Sequence, residues 1–170
     1  MFMKPITAAN EFFLIEYNWE TLAELSKKYP GFNPATSAVH VNTAKSLKSV
    51  WVAVNDLDAA VQAYTSLGIK LGEKTAVSQI KAVGITIEAA QSTILLLEPD
   101  APDSITAAFL TQRGPGLIGM RIEVENLQTA DYLIKANTRR HFEPHNGSLG
   151  ESILLSAELT NGIWMELFQA

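Results

Sequence analysis

Alternation of apolar and polar residues first becomes regular at Ser49. From there Val50, Val52 and Val54 fall on one side of a strand, and Ser49, Trp51 and Ala53 on the other. The pattern returns seventy residues later, with Met120, Ile122 and Val124 on one face and Gly119, Arg121 and Glu123 on the other. Aligning SVWVAVNDLDAA with GMRIEVENLQTA matches Val54 to Val124, Asp56 to Asn126, Leu57 to Leu127 and Ala60 to Ala130. Each strand runs into a helix start. Asn55 or Asp56 caps the first helix, which carries Leu57, Ala60, Val61 and Tyr64 at helical spacing before Gly68 stops it. The second runs from Asn126 through Leu127, Ala130, Leu133 and Ile134 to about Asn137.

Strand-like segments follow each helix: 69–74, 79–88 and 93–98 in the first copy, and a short piece near Phe142, then 151–159 and 162–168, in the second. Ala89-Ala90-Gln91-Ser92 is a weak hairpin signal, whereas Thr160-Asn161-Gly162 contains the strong Asn-Gly turn pair. The chain thus reads as an α+β protein of paired βαβββ modules, residues 47–100 and 116–170, joined by a connector, 101–115, with a short helix at 104–112. One module alone has too few elements to bury its valine face. Two side by side are expected to make a curved, cup-like mixed sheet with helices outside. Residues 1–46 belong to neither copy. Their strand-like stretch EFFLIEY, 11–17, is either the closing strand of an incomplete preceding module or an arm that pairs with a sheet edge.

Composition narrows the function classes. The 170 residues are 47% hydrophobic, ordinary for a globular chain, and 13 Lys and Arg against 18 Asp and Glu give a net charge of −5. A chain without a basic balance is a poor phosphate binder, so no nucleic acid partner is expected. The absence of cysteine removes disulfides, thiolate metal sites and a Cys nucleophile. No apolar run approaches the roughly 20 residues of a membrane helix. Glu11 and Glu16 interrupt any signal-like core near the start, so a cytoplasmic location with no membrane partner is expected.

The repeat resembles the vicinal oxygen chelate superfamily, which includes glyoxalase I, methylmalonyl-CoA epimerase, extradiol dioxygenases and the bleomycin-resistance proteins. The resemblance rests on SVWVAVNDLDAAVQAYTSLGI, TILLLEPD, RGPGLIGMRIEVENL and TNGIWMELFQ, in that order, spanning residues 47–170. It is closest to glyoxalase-like domain proteins, where a segment like HVNTAKSLKSVWVAVNDLDAA joins one module to the next. In that superfamily four strand residues hold a divalent metal on the concave face, His opening each module and Glu or Gln on its last strand. Carried over residue by residue, the positions are Ser49, Leu95, Gly119 and Glu166, of which only Glu166 is a good ligand. Glu98 lies at its strand's end, on the other face from Leu95. The resemblance therefore implies a scaffold that has lost most of its metal ligands and needs no cofactor. The alternative is one divalent ion such as Zn, Ni or Mn on a non-standard ligand set.

Alternation also says what lines the cup: Ser49, Trp51, Arg121, Glu123, Trp164, Glu166 and Phe168, beside a wall of Thr93, Leu95 and Leu97. Aromatic faces with one fixed charge suit a small flat or partly anionic organic molecule, so the candidate ligand-binding residues are Ser49, Trp51, Arg121, Trp164, Glu166 and Phe168. The plainer reading has Arg121 paired with Glu123 or Glu166, and the two indoles filling the cup or a dimer interface. His141 and His145 are read as solvent-facing loop residues because Pro144 breaks a helix there. His40 lies in the linker, and Gly114-Pro115-Gly116 is a tight turn into a strand, not a phosphate loop.

Three readings follow. One is a metal-free protein that sequesters a small molecule, a homodimer like many members. A second is a metal-dependent lyase, isomerase or dioxygenase whose site is completed by Glu16, His40 or a second chain. The last is a degenerate paralogue with an assembly role only, for which the cup would be plugged by Trp51, Trp164 and Phe168.

Overall fold

The structure, a computed structural model, describes residues 27–29, 39–89, 91–147 and 149–170. Glu16 and the 11–17 stretch lie outside these residues. In chain order the paired modules give β1 (Ala44–Ala53), α1 (Leu57–Ser66), β2 (Leu71–Val77), β3 (Ala82–Ala89) and β4 (Ser92–Pro99). They continue with α2 (Ile105–Arg113), β5 (Gly116–Val124), α3 (Leu127–Thr138), β6 (His145–Gly147), β7 (Gly150–Leu155) and β8 (Trp164–Gln169). The strands form one eight-stranded, curled, half-barrel sheet in the order β2-β3-β4-β1-β5-β8-β7-β6. The first strand of each module pairs in parallel with its own last strand, β1 with β4 and β5 with β8. The two modules meet where β1 runs antiparallel to β5.

The strand alternation read from the sequence sorts the side chains onto two faces. On the outer face Val52, Val54, Ile85, Ile87 and Leu96 bury against Leu57, Ala60 and Tyr64 of α1. The second module repeats this with Val124, Ile153, Leu155 and Leu167 against Leu127 and Ala130 of α3. The connector helix α2 packs on the other face, where Ile105, Phe109 and Leu110 cover Trp51, Ala53, Leu97 and Ile118. Both outer helices start on a side-chain cap. Asp56 Oδ1 accepts from the Ala59 N–H and Asn126 Oδ1 from the Thr129 N–H, each at 2.8 Å. Replacing either cap by Ala is expected to lower stability by about 1 kcal/mol in urea denaturation.

Three local expectations need correction. The short strand placed near Phe142 lies instead at His145–Gly147. Pro144 lacks the N–H a ladder needs, and the hairpin that sets the register closes between Gly147 and Gly150. The strand drawn as 151–159 ends at Leu155, because residues after it form successive turns, with Leu159 N–H donating to Ser156 O. The Asn161-Gly162 pair does hold left-handed backbone, φ 59° and 99°, but as the end of that longer loop, where Gly162 N–H donates to Ala157 O. The weaker signal at 89–92 is the true tight hairpin, with Ala89 opposite Ser92.

Candidate functional site on the inner face

Where the two modules meet, cross-strand register puts Ser49 opposite Arg121 and Trp51 opposite Gly119. Parallel pairing then sets Thr93 and Leu95 beside Ser49 and Trp51, and Trp164 and Glu166 beside Gly119 and Arg121. Five of the six candidate residues thus meet at the centre of the inner face, and Phe168 follows Glu166 two residues further along β8.

They do different things there. Trp51 is 2% exposed, with its indole across the space over Gly119. A Cβ on Gly119 would stand 2.7 Å from Trp51 Cε3 and 2.8 Å from the Trp164 carbonyl oxygen. The middle of the cup is therefore filled by protein. Phe168 is equally buried. Ser49 and Arg121, by contrast, line a cavity of about 290 Å³ in the first module, together with Thr75, Ser78, Thr86 and Thr93.

Arg121 and Glu166 form the electrostatic centre. The Arg121 Nε–H donates to Glu166 Oε2 at 2.7 Å, and the guanidinium carbon lies 5.6 Å from the Trp51 ring centre. Both side chains are largely removed from water. Of the two partners left open for Arg121, Glu166 is the one engaged. Glu123 instead accepts from Ser46 Oγ–H at 2.9 Å and pairs with Lys48 at 3.0 Å and Lys45 at 3.7 Å. The Lys48 ammonium and the Ser46 hydroxyl hold the Glu123 carboxyl below its usual range. The stabilisation this represents is present above the unfolded-state pKa and is lost as pH falls through the lowered folded value. Lys48→Met is expected to move the Glu123 titration, followed by carboxyl-carbon NMR, back towards the ordinary range.

One participant escaped the sequence reading. His145 lies in the sheet, not in a solvent-facing loop, and its Nε2 is 3.1 Å from Ser152 Oγ and 3.9 Å from Glu166 Oε1. Gly147 makes room beside it, since a Cβ there would come within 2.7 Å of Glu166 Oε1. The only sequence signal was the pair of glycines, 147 and 150, flanking a turn just after Pro144. His141 is half exposed beside Glu143, and His40 lines an outer groove against α3 with Leu133 and Ile134.

The four positions that would carry the metal do not fit one. Leu95 is buried and apolar, Gly119 has no side chain and lies under an indole, and Ser49 offers a neutral hydroxyl. Glu166, the single carboxylate, is already held by a guanidinium. Among the described residues no three His, Asp or Glu side chains cluster as a metal site would require.

No protein-family model matches the sequence, and no curated protein does. Solved structures do. Methylmalonyl-CoA epimerase from Mycobacterium tuberculosis is 22% identical with a TM-score of 0.68, over 79% of this chain and 94% of that one. A Streptomyces coelicolor methylmalonyl-CoA epimerase variant in complex with 2-nitronate-propionyl-CoA is 20% identical, TM-score 0.64, over 75% and 95%. Hypothetical protein BH1468 from Bacillus halodurans is 23% identical, TM-score 0.62, over 74% and 94%. Among the described residues no helix is long and apolar enough to cross a membrane. The chain has the paired βαβββ fold of the methylmalonyl-CoA epimerases.

Proposed function

We propose that the protein binds a small organic molecule on the inner face of its half-barrel without a metal ion. The observation that carries this reading is the Arg121–Glu166 pair, at 2.7 Å, which sets a fixed guanidinium against the one carboxylate left at a family ligand position. A cation supplied by the chain stabilises that buried carboxylate, and the remaining cavity beside Ser49 is lined by protein hydroxyls in place of metal ligands. A neighbour of the same fold was solved with an organic ligand, 2-nitronate-propionyl-CoA, which supports reading the fold as one that can hold an organic molecule. The proposal includes a homodimer in the cytoplasm.

Calorimetry on chelator-stripped protein, titrated in turn with nickel, zinc and manganese, is the test. No binding tighter than millimolar is expected. One ion per chain at micromolar affinity would overturn the metal-free reading. It would favour instead a metalloenzyme in which His145 and Glu166, 3.9 Å apart, supply two ligands. Sedimentation of the same sample tests the dimer.

A further inference from the structure

The cavity beside Ser49 has a chemical character that the cup as a whole does not. It is formed by β1, β2, β3 and β4, by the turn that follows β2, and by Arg121 of β5. Five of its ten lining residues carry hydroxyls, Ser49, Thr75, Ser78, Thr86 and Thr93, and Gln79 adds an amide. Arg121 is the one ionisable residue among the ten, and its charge is already balanced by Glu166. An anion entering here would therefore find no unbalanced cation among the lining residues to pair with.

The hydroxyls point the same way. Thr93 spends its O–H on the Lys48 carbonyl at 3.2 Å, so towards the cavity it acts as an acceptor. Ser49 is 3% exposed and has no side-chain hydrogen bond to another described residue, so its O–H is available as a donor. A carboxylate can only accept, and its oxygens would face lone pairs at Thr93. A ligand hydroxyl both donates and accepts, and so satisfies both. Ligand pockets usually span about 300–1,000 Å³, so a cavity near 290 Å³ suits a molecule at the small end.

We propose that this cavity takes a small neutral, hydroxyl-rich molecule, a polyol or a single sugar ring, in preference to an organic acid. The inference rests on the reading of the inner face as a binding site. Two-dimensional amide NMR tests it, with glucose, xylose and myo-inositol as neutral probes and glucuronate and pyruvate as acids. Glucose and glucuronate share a ring and differ in one charged group, which isolates the term in question.

The neutral probes are expected to shift the amides of Ser49, Thr86 and Thr93 in a saturable way, with glucuronate at least tenfold weaker than glucose. Ser49→Ala is expected to weaken the neutral probe that binds best by about tenfold. Should that variant not fold, Thr75→Val, on the exposed rim, is expected to weaken it severalfold. Equal or tighter binding of the acids overturns the inference while leaving the site itself in place. Amides unmoved by either class overturn both the inference and the binding reading beneath it.

Discussion

Replacing Arg121 by Met should destabilise the fold by about 3–5 kcal/mol, because it strips the ion partner from a carboxylate that the fold keeps dry. Glu166 is 3% exposed, and its Oε2 takes the Arg121 Nε–H at 2.7 Å. Met preserves the aliphatic stem, so lost packing is a minor part of the effect. Loss of the guanidinium over Trp51 adds about 0.5–2 kcal/mol. The informative comparison is the double replacement, Arg121→Met with Glu166→Leu. Swapping a buried ion pair for apolar groups of similar volume is commonly neutral or stabilising, so the double variant should recover most of what the single one loses. Urea denaturation of the wild type, both single variants and the double closes the cycle. A coupling energy under about 0.5 kcal/mol would mean that the pair is incidental to the fold. The centre of the inner face would then need another explanation.

The contrast between what alternation revealed and what it concealed follows the physics of each element. Period-two patterning in residues 49–54 and 119–124 is long and regular, so it assigns every side chain there to its face. Ser49, Trp51, Gly119 and Arg121 do share the inner one. The helix starts were equally legible, since a short acceptor ahead of helical spacing has few other uses; of the two candidates for the first cap, Asn55 and Asp56, it is Asp56 that caps. Depth was not. Whether Trp51 lines a cavity or fills it depends on α2, which arrives from the connector and covers that end of the face. Nothing local to residue 51 records this. His145 was missed for a different reason. Its strand is three residues long, too short for any period to show, and its register comes from a turn rather than from its own pattern.

Gly119→Ala isolates the feature that most distinguishes this inner face from an open cup. The residue lies between Trp51 on β1 and Trp164 on β8, and an added Cβ would come within 3 Å of one atom from each. Trp51 Cε3, at 2.7 Å, belongs to a ring packed under α2, and the Trp164 carbonyl oxygen, at 2.8 Å, belongs to the backbone. Neither neighbour is the free end of a flexible chain, so the strand itself must shift. A loss of about 1–3 kcal/mol is expected by urea denaturation. Adding Trp51→Leu to Gly119→Ala should restore only part of that loss. It removes the ring contact and leaves the carbonyl in place, and it forfeits burial of the indole. Full stability of Gly119→Ala alone would mean that the indole does not cover this position and that the cup is open at its centre. The same geometry bears on function, since residue 119 is where the family resemblance places a metal-binding His. With the indole overhead and the Trp164 carbonyl beside it, a side chain as large as His cannot be placed there without moving both neighbouring strands. Trp51 thus packs over Gly119 and lies 5.6 Å from the Arg121 guanidinium, so a change at any one of the three is expected to be felt at the other two.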